Sequence, residues 1–240
     1  MPEAKDGLIP TLNQMGWMTV GLDAFSREFV DFSSTAPGPV LDIGAAYGIA
    51  SIEALKTGAR VIANDLDRRH LDILYDRAPK EYVRNLILKA GEFPNELNFS
   101  DYSLGGILAC RILHFFDGTT IETGIARMAS WLAKGGKAFV VGETVYQKVF
   151  RGLIPLYEAR TSDSACAWPG YFDNIRELCD PVLRDAIPAQ FHFFDVKTLC
   201  RAFEKAGFGI EKANTFARPE YPDWVRFEGH ESAGIIAVKK

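Results

Sequence analysis

The sequence has no dense run of one charge, and its lysine and arginine residues are spread along the chain. Its 27 basic and 31 acidic residues give a formal net charge of −4, with a sequence pI of about 5.6. A protein that holds nucleic acid by charge normally carries a basic patch or a basic overall balance. We therefore expect no nucleic acid partner.

Cysteine is scarce, and long apolar runs are missing. The four cysteines form no CxxC pair and have no histidine at metal-ligand spacing. Cys110 and Cys200 lie in apolar runs, which favours buried free thiols in a reducing cytosol over two disulfides of a secreted protein. The first residues lack the layout of a signal peptide, and no uncharged stretch is long enough to span a bilayer. We expect a cytoplasmic protein that uses no membrane and no metal.

What the sequence does contain is a regular alternation of apolar strands and helices. The strands are predicted at residues 40–43, 60–63, 86–88, 106–111 and 137–142. The helices between them are predicted at residues 49–56, 67–77 and 121–132. This alternation indicates an α/β fold, with a parallel sheet and helices on both faces. A chain of 240 residues is long enough for one such domain with additions.

Further segments flank this core. Residues 8–33 are predicted to form one or two helices, and residues 145–190, rich in aromatic residues and turn formers, a mostly helical insertion. A late helix at 194–206 precedes two antiparallel strands at 208–214 and 233–238. We divide the chain into an N-terminal helical cap (1–37), a cofactor-binding core (38–144), a helical lid insertion (145–192) and a C-terminal part that completes the sheet (193–240).

The turn after the first strand, Asp42-Ile43-Gly44-Ala45-Ala46-Tyr47-Gly48, indicates chemistry most directly. Gly44 and Gly48 allow the backbone to approach a ligand closely, and the next helix directs its first amide groups at that ligand. The spacing is GxxxG, not the GxGxxG that seats a pyrophosphate, and Asp42 attracts a cation and repels a phosphate. S-adenosylmethionine (SAM), which has two cationic groups and no phosphate, fits a turn lined by Asp42, Gly44, Ala46 and Gly48. The alternative is a glycine turn that serves only strand–helix packing.

A second acid follows the next strand, about twenty residues further on. Asp65 stands where a carboxylate can accept hydrogen bonds from ribose hydroxyls, with Leu66 beside it at the same predicted site. The alternative is a helix N-cap, for which Asp67 is a rival. Together the glycine turn and Asp65 favour a nucleoside cofactor.

These motifs resemble the class I SAM-dependent methyltransferases, in the small-molecule branch that includes quinone- and lipid-biosynthesis enzymes. The resemblance covers residues 38–143 closely and 193–240 more loosely. It rests on the loop at 42–48, on Asp65, on Leu113-His114-Phe115 and on a Gly135-Gly136 turn. It implies a Rossmann-like, doubly wound sheet of seven strands, mostly parallel, with the seventh antiparallel beside the fifth. SAM would lie over the carboxyl ends of strands one to four.

The sequence departs from that family at two positions. The family usually carries an acid shortly after the third strand to hold the adenine amine. Lys89 stands at the matching place here, and Glu92 and Phe93 are the candidates that replace it. The family's acid at the start of the fourth strand is replaced by Gly105 or Gly106.

Three polar residues at strand ends are the candidates for catalysis and anchoring. His114 is a general-base candidate, with a packing histidine as the alternative. Glu143 could bind an acceptor amine or act as a base, or cap a helix. Arg111 could hold the SAM carboxylate or an anionic acceptor, or form a buried salt bridge. Trp17 and Tyr47 are candidates to cover the methionine end of SAM.

The aromatic insertion is the candidate acceptor site. It is interpreted as a lid over a small, apolar or aromatic acceptor, with a satellite core or a homodimer surface as alternatives. His192 either lines this pocket or belongs to the core. We expect methyl transfer to an O, N or C atom of a small molecule, mainly by alignment and desolvation. The alternatives are a SAM-binding protein without turnover, a protein or RNA acceptor, and a nicotinamide-dependent reductase.

Overall fold

The computed structural model describes residues 1–184 and 187–240, so residues 185 and 186 of the predicted insertion lie outside the described residues. The strands of the described residues are β1 (Leu8–Pro10), β2 (Trp17–Thr19), β3 (Val40–Ile43), β4 (Val61–Asp65), β5 (Leu86–Ala90), β6 (Leu104–Cys110), β7 (Leu132–Glu143), β8 (Tyr171–Phe172), β9 (Phe191–His192), β10 (Phe208–Phe216) and β11 (Ser232–Lys239). The α-helices are α1 (Ala24–Ser33), α2 (Ile49–Lys56), α3 (Arg68–Arg77), α4 (Gly118–Trp131), α5 (Ile154–Thr161) and α6 (Val196–Lys205). Short 3-10 helices lie at Val83–Asn85, Leu113–Phe115, Lys148–Leu153 and Pro181–Leu183.

The main sheet has seven strands within the described residues, in the order β10-β11-β7-β6-β3-β4-β5. The five strands from β7 to β5 pair in parallel, while β11 runs antiparallel to both β7 and β10. This confirms the Rossmann-like, doubly wound sheet with one antiparallel strand. The late helix predicted at 194–206 is α6, which begins after its N-cap, Asp195. Ligands of open α/β sheets bind beside the carboxyl ends of the parallel strands, so this topology defines one edge for a site.

Alternating side chains of the strands build an apolar core on each face of the sheet. On β3, Val40 packs with Phe29 of α1, while Leu41 packs on the other face with Ile125 of α4 and Phe203 of α6. All of these side chains are buried. Helices on both faces hide the central strands completely, which explains their nearly continuous apolar sequences.

Residues 8–33 differ from the predicted helices. Only α1 is helical, and β1 and β2 form an antiparallel hairpin before it. Pro10 and Gly16 interrupt a helix locally. The hairpin is also held by hydrogen bonds to Tyr47 and His70, which are tertiary contacts that a local pattern does not contain. The helical cap was therefore a wrong prediction for its first half.

The insertion is mixed in structure. It contains α5 and two 3-10 helices, but also the short antiparallel pair of β8 and β9. Its apolar side chains form a cluster separate from the two sheet cores, made of Val145, Val149, Phe150, Leu153, Tyr157, Phe172, Ile175, Cys179, Leu183, Ile187, Phe191 and Phe193. The satellite core that the sequence left as an alternative is thus present.

The glycine turn, the cysteines and the helices were also subjects of sequence predictions. The Gly135-Gly136 turn lies within β7, because this strand begins at Leu132, earlier than the sequence suggests. The four cysteines are free thiols. None of the described helices has the length and apolar character needed to cross a bilayer.

Candidate active site

A cavity of about 270 Å³ lies along the carboxyl ends of the parallel strands. The predicted site residues that line it are Asp42, Gly44, Ala46, Asp65, Leu66, Glu92, Phe93, Arg111, His114 and Glu143. Gly48 does not line it and instead forms the N-cap of α2. The fold therefore brings together side chains that are separated by up to a hundred residues in the sequence.

The two glycines of the first turn are required by close contacts. Gly44 has φ +70°, and a Cβ atom there would lie 2.3 Å from Cγ2 of Ile112. Gly48 has φ +77°, and a Cβ atom there would lie 2.3 Å from Cγ of Leu74. A larger residue at Gly44 would both strain the backbone and displace a wall of the cavity.

Asp65 is fixed by three hydrogen bonds. Its Oδ2 accepts from the Ala46 amide at 2.9 Å, and its Oδ1 accepts from the Asp67 amide at 2.8 Å and from Nδ1 of His70 at 3.0 Å. The N-cap of α3 is Asp67, whose carboxylate accepts from the Arg69 amide. Asp65 is therefore not the N-cap of this helix, which was the alternative to a ligand-binding role. Ala46 has φ +45°, a conformation that glycine adopts more readily, and its bond to Asp65 helps to hold it.

Asp42 is buried beneath the turn. Its Oδ2 accepts a hydrogen bond of 2.6 Å from the Ser51 hydroxyl. Burial raises the pKa of Asp42 to about 7, and the negative charge of Asp65 adds to the increase, against the lowering effect of Ser51. A cation that enters the cavity would favour the ionised form of this carboxyl.

The end of β5 is organised by a buried amide. Nδ2 of Asn64 donates to the carbonyl oxygens of Lys89 and Gly91, both at 2.9 Å. Of the two candidates that follow, Glu92 is exposed at the cavity, whereas the ring of Phe93 is buried in the sheet core. The carboxylate of Glu92 is thus the group that remains free for an exocyclic amine.

Glu143 is the centre of a buried polar cluster. Its Oε1 accepts from Nε of Arg111 at 2.5 Å and from the Tyr221 hydroxyl at 2.6 Å, and its Oε2 accepts from Nε2 of Gln147 at 2.5 Å. Burial alone would raise the pKa of Glu143, but Arg111, Arg218 and the Tyr221 bond lower it overall. Because both oxygens of this ionised carboxylate are hydrogen-bonded, Glu143 is suited to hold the side chains of its donors in place.

Arg111 stands at the end of β6 in a strained conformation. Its φ is +58°, and its amide donates to the Val141 carbonyl at 2.8 Å. Its Nε binds Glu143, and its two terminal nitrogens have no hydrogen-bond partner in the part of the chain that the structure describes. Since Arg111 lines the cavity, these nitrogens are donors available to an anionic group.

His114 follows β6 within a 3-10 turn and is 7% exposed. Its ring stacks on Phe191 of the insertion, with 4.8 Å between centroids. Its buried Nδ1 has no hydrogen-bond partner among residues 1–184 and 187–240. Burial is the main reason that the pKa of His114 falls to about 3, and Arg111 and His192 lower it further against Glu143. The imidazole is therefore neutral at ordinary pH.

Of the three remaining aromatic residues that the sequence proposed for the site, only one lines the cavity. Trp17 lines the cavity, whereas His192 does not. His192 donates Nδ1–H to the Phe116 carbonyl at 3.0 Å and stacks on Phe194, so it has the surroundings of a core residue. Tyr47 is buried, and its hydroxyl binds the Pro10 carbonyl at 2.8 Å, so it anchors the hairpin rather than covering a ligand.

Several residues of the site escaped the sequence analysis. Asn64 and His70 lie close to Asp65 in sequence, so polar residues flanking a predicted ligand-binding acid were the available signal. Gln147 of the insertion and Tyr221 of the loop between β10 and β11 donate hydrogen bonds to Glu143, and the charge of Arg218 in the same loop lowers the pKa of Glu143. No local pattern marks these three residues, because only the tertiary fold brings them to the strand end.

Metal ligands are not grouped in this region. Among the residues with described positions, no group of three or more histidine, cysteine, aspartate or glutamate side chains could hold a metal ion. The polar groups of the cavity are instead the separate carboxylates, the guanidinium and the imidazole described above.

Part of the chain matches a known domain family. A family model described as a methyltransferase domain matches residues 40–136, which are 97 of the 240 residues and contain the glycine turn and Asp65. None of the curated proteins matches the sequence.

Solved structures share the fold over almost the whole chain. A SAM-dependent methyltransferase from Methanosarcina mazei is 18% identical with a TM-score of 0.64, and the similarity covers 92% of this chain and 99% of that one. The 1,6-didemethyltoxoflavin-N1-methyltransferase of Burkholderia thailandensis is 19% identical with a TM-score of 0.61, over 90% and 79% of the two chains. The glycopeptide N-methyltransferase MtfA is 16% identical with a TM-score of 0.59, over 90% and 87%.

Residues 40–136 match a methyltransferase domain, and the chain shares its fold with SAM-dependent methyltransferases. The polar groups that line the cavity are chemically suited to SAM. Asp65 and Glu92 offer carboxylates for hydroxyl and amine groups, Asp42 a carboxyl near a cation, and Arg111 free donors for a carboxylate.

Proposed function

We propose that this enzyme transfers the methyl group of SAM to an O, N or C atom of a small, largely apolar molecule. The observation that carries the proposal is the lining of the cavity at the carboxyl ends of the parallel strands. One end is formed by the turns after β3, β4 and β5, and the other by apolar side chains of the insertion, including Val149, Phe150 and Phe191. A ligand pocket with mostly apolar walls and a few polar groups is typical of small-molecule sites.

The cofactor end is assigned to SAM through the turns. Asp65 accepts from the ribose, Glu92 accepts from the adenine amine, and Leu66, which is 56% exposed, lies beside them. Asp42 faces the cationic part, and the terminal nitrogens of Arg111 bind the carboxylate. When bound, SAM supplies a methyl group already activated by its sulfonium, so the protein mainly has to align the acceptor and exclude water.

His114 is proposed to orient the acceptor. His114 lines the cavity and its Nδ1 is buried, so Nε2 is the atom that would accept a hydrogen bond from an acceptor O–H or N–H. Because its pKa is about 3, this imidazole is a weak base, and efficient general bases have a pKa near the working pH. Alignment by a hydrogen bond is therefore the role that its surroundings favour.

Glu143 remains a predicted site residue, and its contacts support a positioning role. It holds Arg111 and Tyr221 at the cavity wall, and Gln147 ties it to the start of the insertion. Loss of this carboxylate would leave buried donors unpaired, which is costly.

The insertion is proposed to be the lid over the acceptor. It packs as a unit through its own cluster and contributes the apolar wall, so it can keep water away from the methyl group. One of the similar structures is named as an N-methyltransferase of 1,6-didemethyltoxoflavin, which supports a small-molecule acceptor. The apolar wall also suits acceptors of the quinone and lipid type. A cytoplasmic location and a homodimer stay predictions.

Labelled-methyl transfer tests this function. The protein is incubated with SAM labelled in its methyl group and with the small-molecule fraction of a cell extract, and separately with its protein and RNA fractions. We expect label in the small-molecule fraction, and its loss in Asp65→Ala but not in Asp76→Ala, an exposed aspartate on α3. Label in protein or RNA alone would refute the acceptor class, and SAM binding without any labelled product would indicate a binding protein without turnover.

Calorimetric titration tests the cofactor separately. Asp65→Ala should weaken binding of SAM by about tenfold or more, since hydrogen bonds to a charged group contribute about 1.5–3 kcal/mol. Affinity equal to that of the unmodified protein would contradict the placement of the ribose. Tight binding of NADH without binding of SAM would contradict the assignment of the whole site.

A further inference from the structure

The hairpin of β1 and β2 forms a strap across the cofactor cavity, defined here as residues 8–19. Its cavity-lining residues include Leu8, Thr11, Asn13, Met15 and Trp17. At one end Leu8 and Trp17 pack against Tyr221 and Val225. At the other end polar contacts join the strap to the cofactor turns. The strap is therefore a wall of the site and a separate piece of chain from the sheet that carries the cofactor residues.

Two hydrogen bonds fasten the polar end of the strap. The hydroxyl of Tyr47 donates to the Pro10 carbonyl at 2.8 Å, and the amide of Leu12 donates to Nε2 of His70 at 3.0 Å. The rings of Tyr47 and His70 lie edge to face, 5.1 Å apart. Both anchors lie next to residues that hold Asp65, because Tyr47 follows Ala46 and His70 binds the carboxylate itself.

The partners of His70 determine where its proton lies. A backbone amide can only donate, so Nε2 of His70 must be the acceptor and carry no hydrogen. Nδ1 then carries the proton of the neutral ring and donates it to Oδ1 of Asp65 at 3.0 Å. His70 is 1% exposed, so no solvent competes for either bond.

These hydrogen bonds leave one acceptor position of the Asp65 carboxylate for a ligand. A carboxylate has about four acceptor positions, and three are occupied by the Ala46 amide, the Asp67 amide and His70. Both positions on Oδ1 are taken, so Oδ2 keeps the one that remains for a ligand hydroxyl. His70 therefore decides which oxygen of the acid is presented.

We propose that His70 is a positioning residue that couples Asp65 to the strap. It orients the acid that binds the cofactor and, through the same ring, holds the strap over the cavity. Occupation of Asp65 and closure of the strap then support each other, as any coupling between two equilibria must be reciprocal. This inference rests on the proposed function only in that Asp65 is the residue that contacts the cofactor.

Two substitutions at His70 separate its bonds. In His70→Asn the side-chain amide takes the place of Nδ1, so it can donate to Asp65 but cannot reach Leu12. In His70→Gln the amide reaches the place of Nε2, so its oxygen can accept from Leu12 while the bond to Asp65 is lost. His230→Asn is the matched control, because His230 is exposed and does not line the cavity.

Amide hydrogen exchange provides a readout that does not depend on turnover. Exchange of residues 8–19 is measured without ligand and with S-adenosylhomocysteine, the demethylated form of the cofactor. We expect His70→Asn to raise exchange of the free strap about fivefold, the equivalent of one ordinary hydrogen bond, and His70→Gln to leave it near that of the unmodified protein. The added protection on binding S-adenosylhomocysteine should be present in the unmodified protein and in His230→Asn, and lost in both His70 variants.

A substitution on the strap itself guards against a folding defect of His70 variants. Leu12→Pro removes the amide donor and leaves α3 untouched. It should weaken S-adenosylhomocysteine binding about as much as His70→Asn, about fivefold, and the double variant should lose no more than either single one, because both remove the same bond. Additive losses in this cycle would contradict the coupling.

The failure of this inference can be told apart from a failure of the proposed function. If Asp65→Ala binds S-adenosylhomocysteine as tightly as the unmodified protein, the cofactor placement is wrong. If Asp65→Ala loses affinity but strap exchange in His70→Asn equals that of the unmodified protein, with and without S-adenosylhomocysteine, the coupling is wrong and the cofactor site stands.

Discussion

The two ends of the cavity are built from different kinds of structure. At the proposed cofactor end, short turns follow β3, β4 and β5 directly, and the carboxylates of Asp42 and Asp65 are bonded within these turns. At the proposed acceptor end, the wall comes from the insertion, which packs through its own apolar cluster. Contacts such as those of Glu143 with Gln147 and of His114 with Phe191 join this cluster to the strand ends.

This difference indicates how the two halves of the reaction can vary independently. The turns are part of the strand–helix connections, and their carboxylates are hydrogen-bonded within them. The insertion has a core of its own. It also contacts the rest of the fold, because Trp168 packs against the sheet core and His192 donates to the Phe116 carbonyl. We therefore expect substitutions in the insertion to change acceptor methylation while cofactor binding persists, and substitutions in the turns to have the opposite effect.

The largest expected effect is that of Gly170→Ala in the insertion. A Cβ atom there would lie 1.9 Å from the Phe193 carbonyl oxygen, and neither backbone can yield easily because Gly170 also accepts the Phe193 amide. We expect the free energy of unfolding in urea to fall by about 3 kcal/mol, as for severe overpacking. Gly152→Ala is the control in the same segment, since no atom of the described residues lies within 4 Å of its Cβ position.

The same variant tests the separation of the two ends. Affinity for S-adenosylhomocysteine in Gly170→Ala, measured under conditions where the protein is folded, should stay within about twofold, as is usual for distant sites. Methylation of the acceptor identified by labelling should be lost. A parallel loss of cofactor affinity would show that the insertion and the turns are one unit.

Gly44→Ala is the corresponding change at the cofactor end. Forcing alanine to a left-handed φ costs about 1–2 kcal/mol, and the new methyl group would also press on Ile112. Since about 1.4 kcal/mol is a factor of ten, we expect calorimetry to show about tenfold weaker binding of S-adenosylhomocysteine. Gly58→Ala is matched for backbone strain, with φ +87° and an open Cβ position outside the cavity, and should lose stability without losing affinity.

The ionisation of Asp42 should make cofactor binding depend on pH. Its pKa is raised to about 7 in the folded protein, so below pH 7 it is mostly neutral and does not attract a cation. Affinity for SAM should therefore rise with pH up to about 7, by at most about tenfold per pH unit. Asp42→Asn should abolish this dependence, and an identical slope in that variant would exclude Asp42 as its source.

The effect of Asp42 on the free energy of unfolding has the opposite pH dependence to its effect on the affinity for SAM. Because the folded pKa of Asp42 is raised, its contribution to stability is present below the ordinary carboxyl pKa and is lost as pH rises through about 7. Urea unfolding without cofactor should show a smaller loss of stability between pH 5 and about pH 8 in Asp42→Asn than in the unmodified protein.

The smallest effect is expected for His114→Ala. If His114 only aligns the acceptor, kcat at saturating SAM should fall about fivefold, the equivalent of one hydrogen bond. A general base would cost about a hundredfold or more. Affinity for SAM should not change in either case, and an unchanged kcat would remove His114 from the mechanism.

The sequence alone predicted more of the structure at the proposed cofactor end of the cavity than at the proposed acceptor end. The strands β3 to β7, the helices α2 and α3 and the turn at Gly44 follow from local apolar periods and turn residues, and the structure has them close to where they were expected. The prediction for residues 8–33 was wrong in its first half, because the hairpin depends on distant partners. Gln147, Tyr221 and Arg218 gave no sequence signal for the same reason.

By itself, the sequence determined the order of strands and helices in the core and the position of a glycine turn and of an acid at two neighbouring strand ends, because these are local features of the chain. Only the tertiary structure decided which groups surround the ligands. It bonded both oxygens of Glu143, joined His70 to both Asp65 and Leu12, and, among the described residues, gave Nδ1 of His114 no partner. These are contacts between segments far apart in the chain, and their energies depend on burial and on partners that only the folded chain brings together.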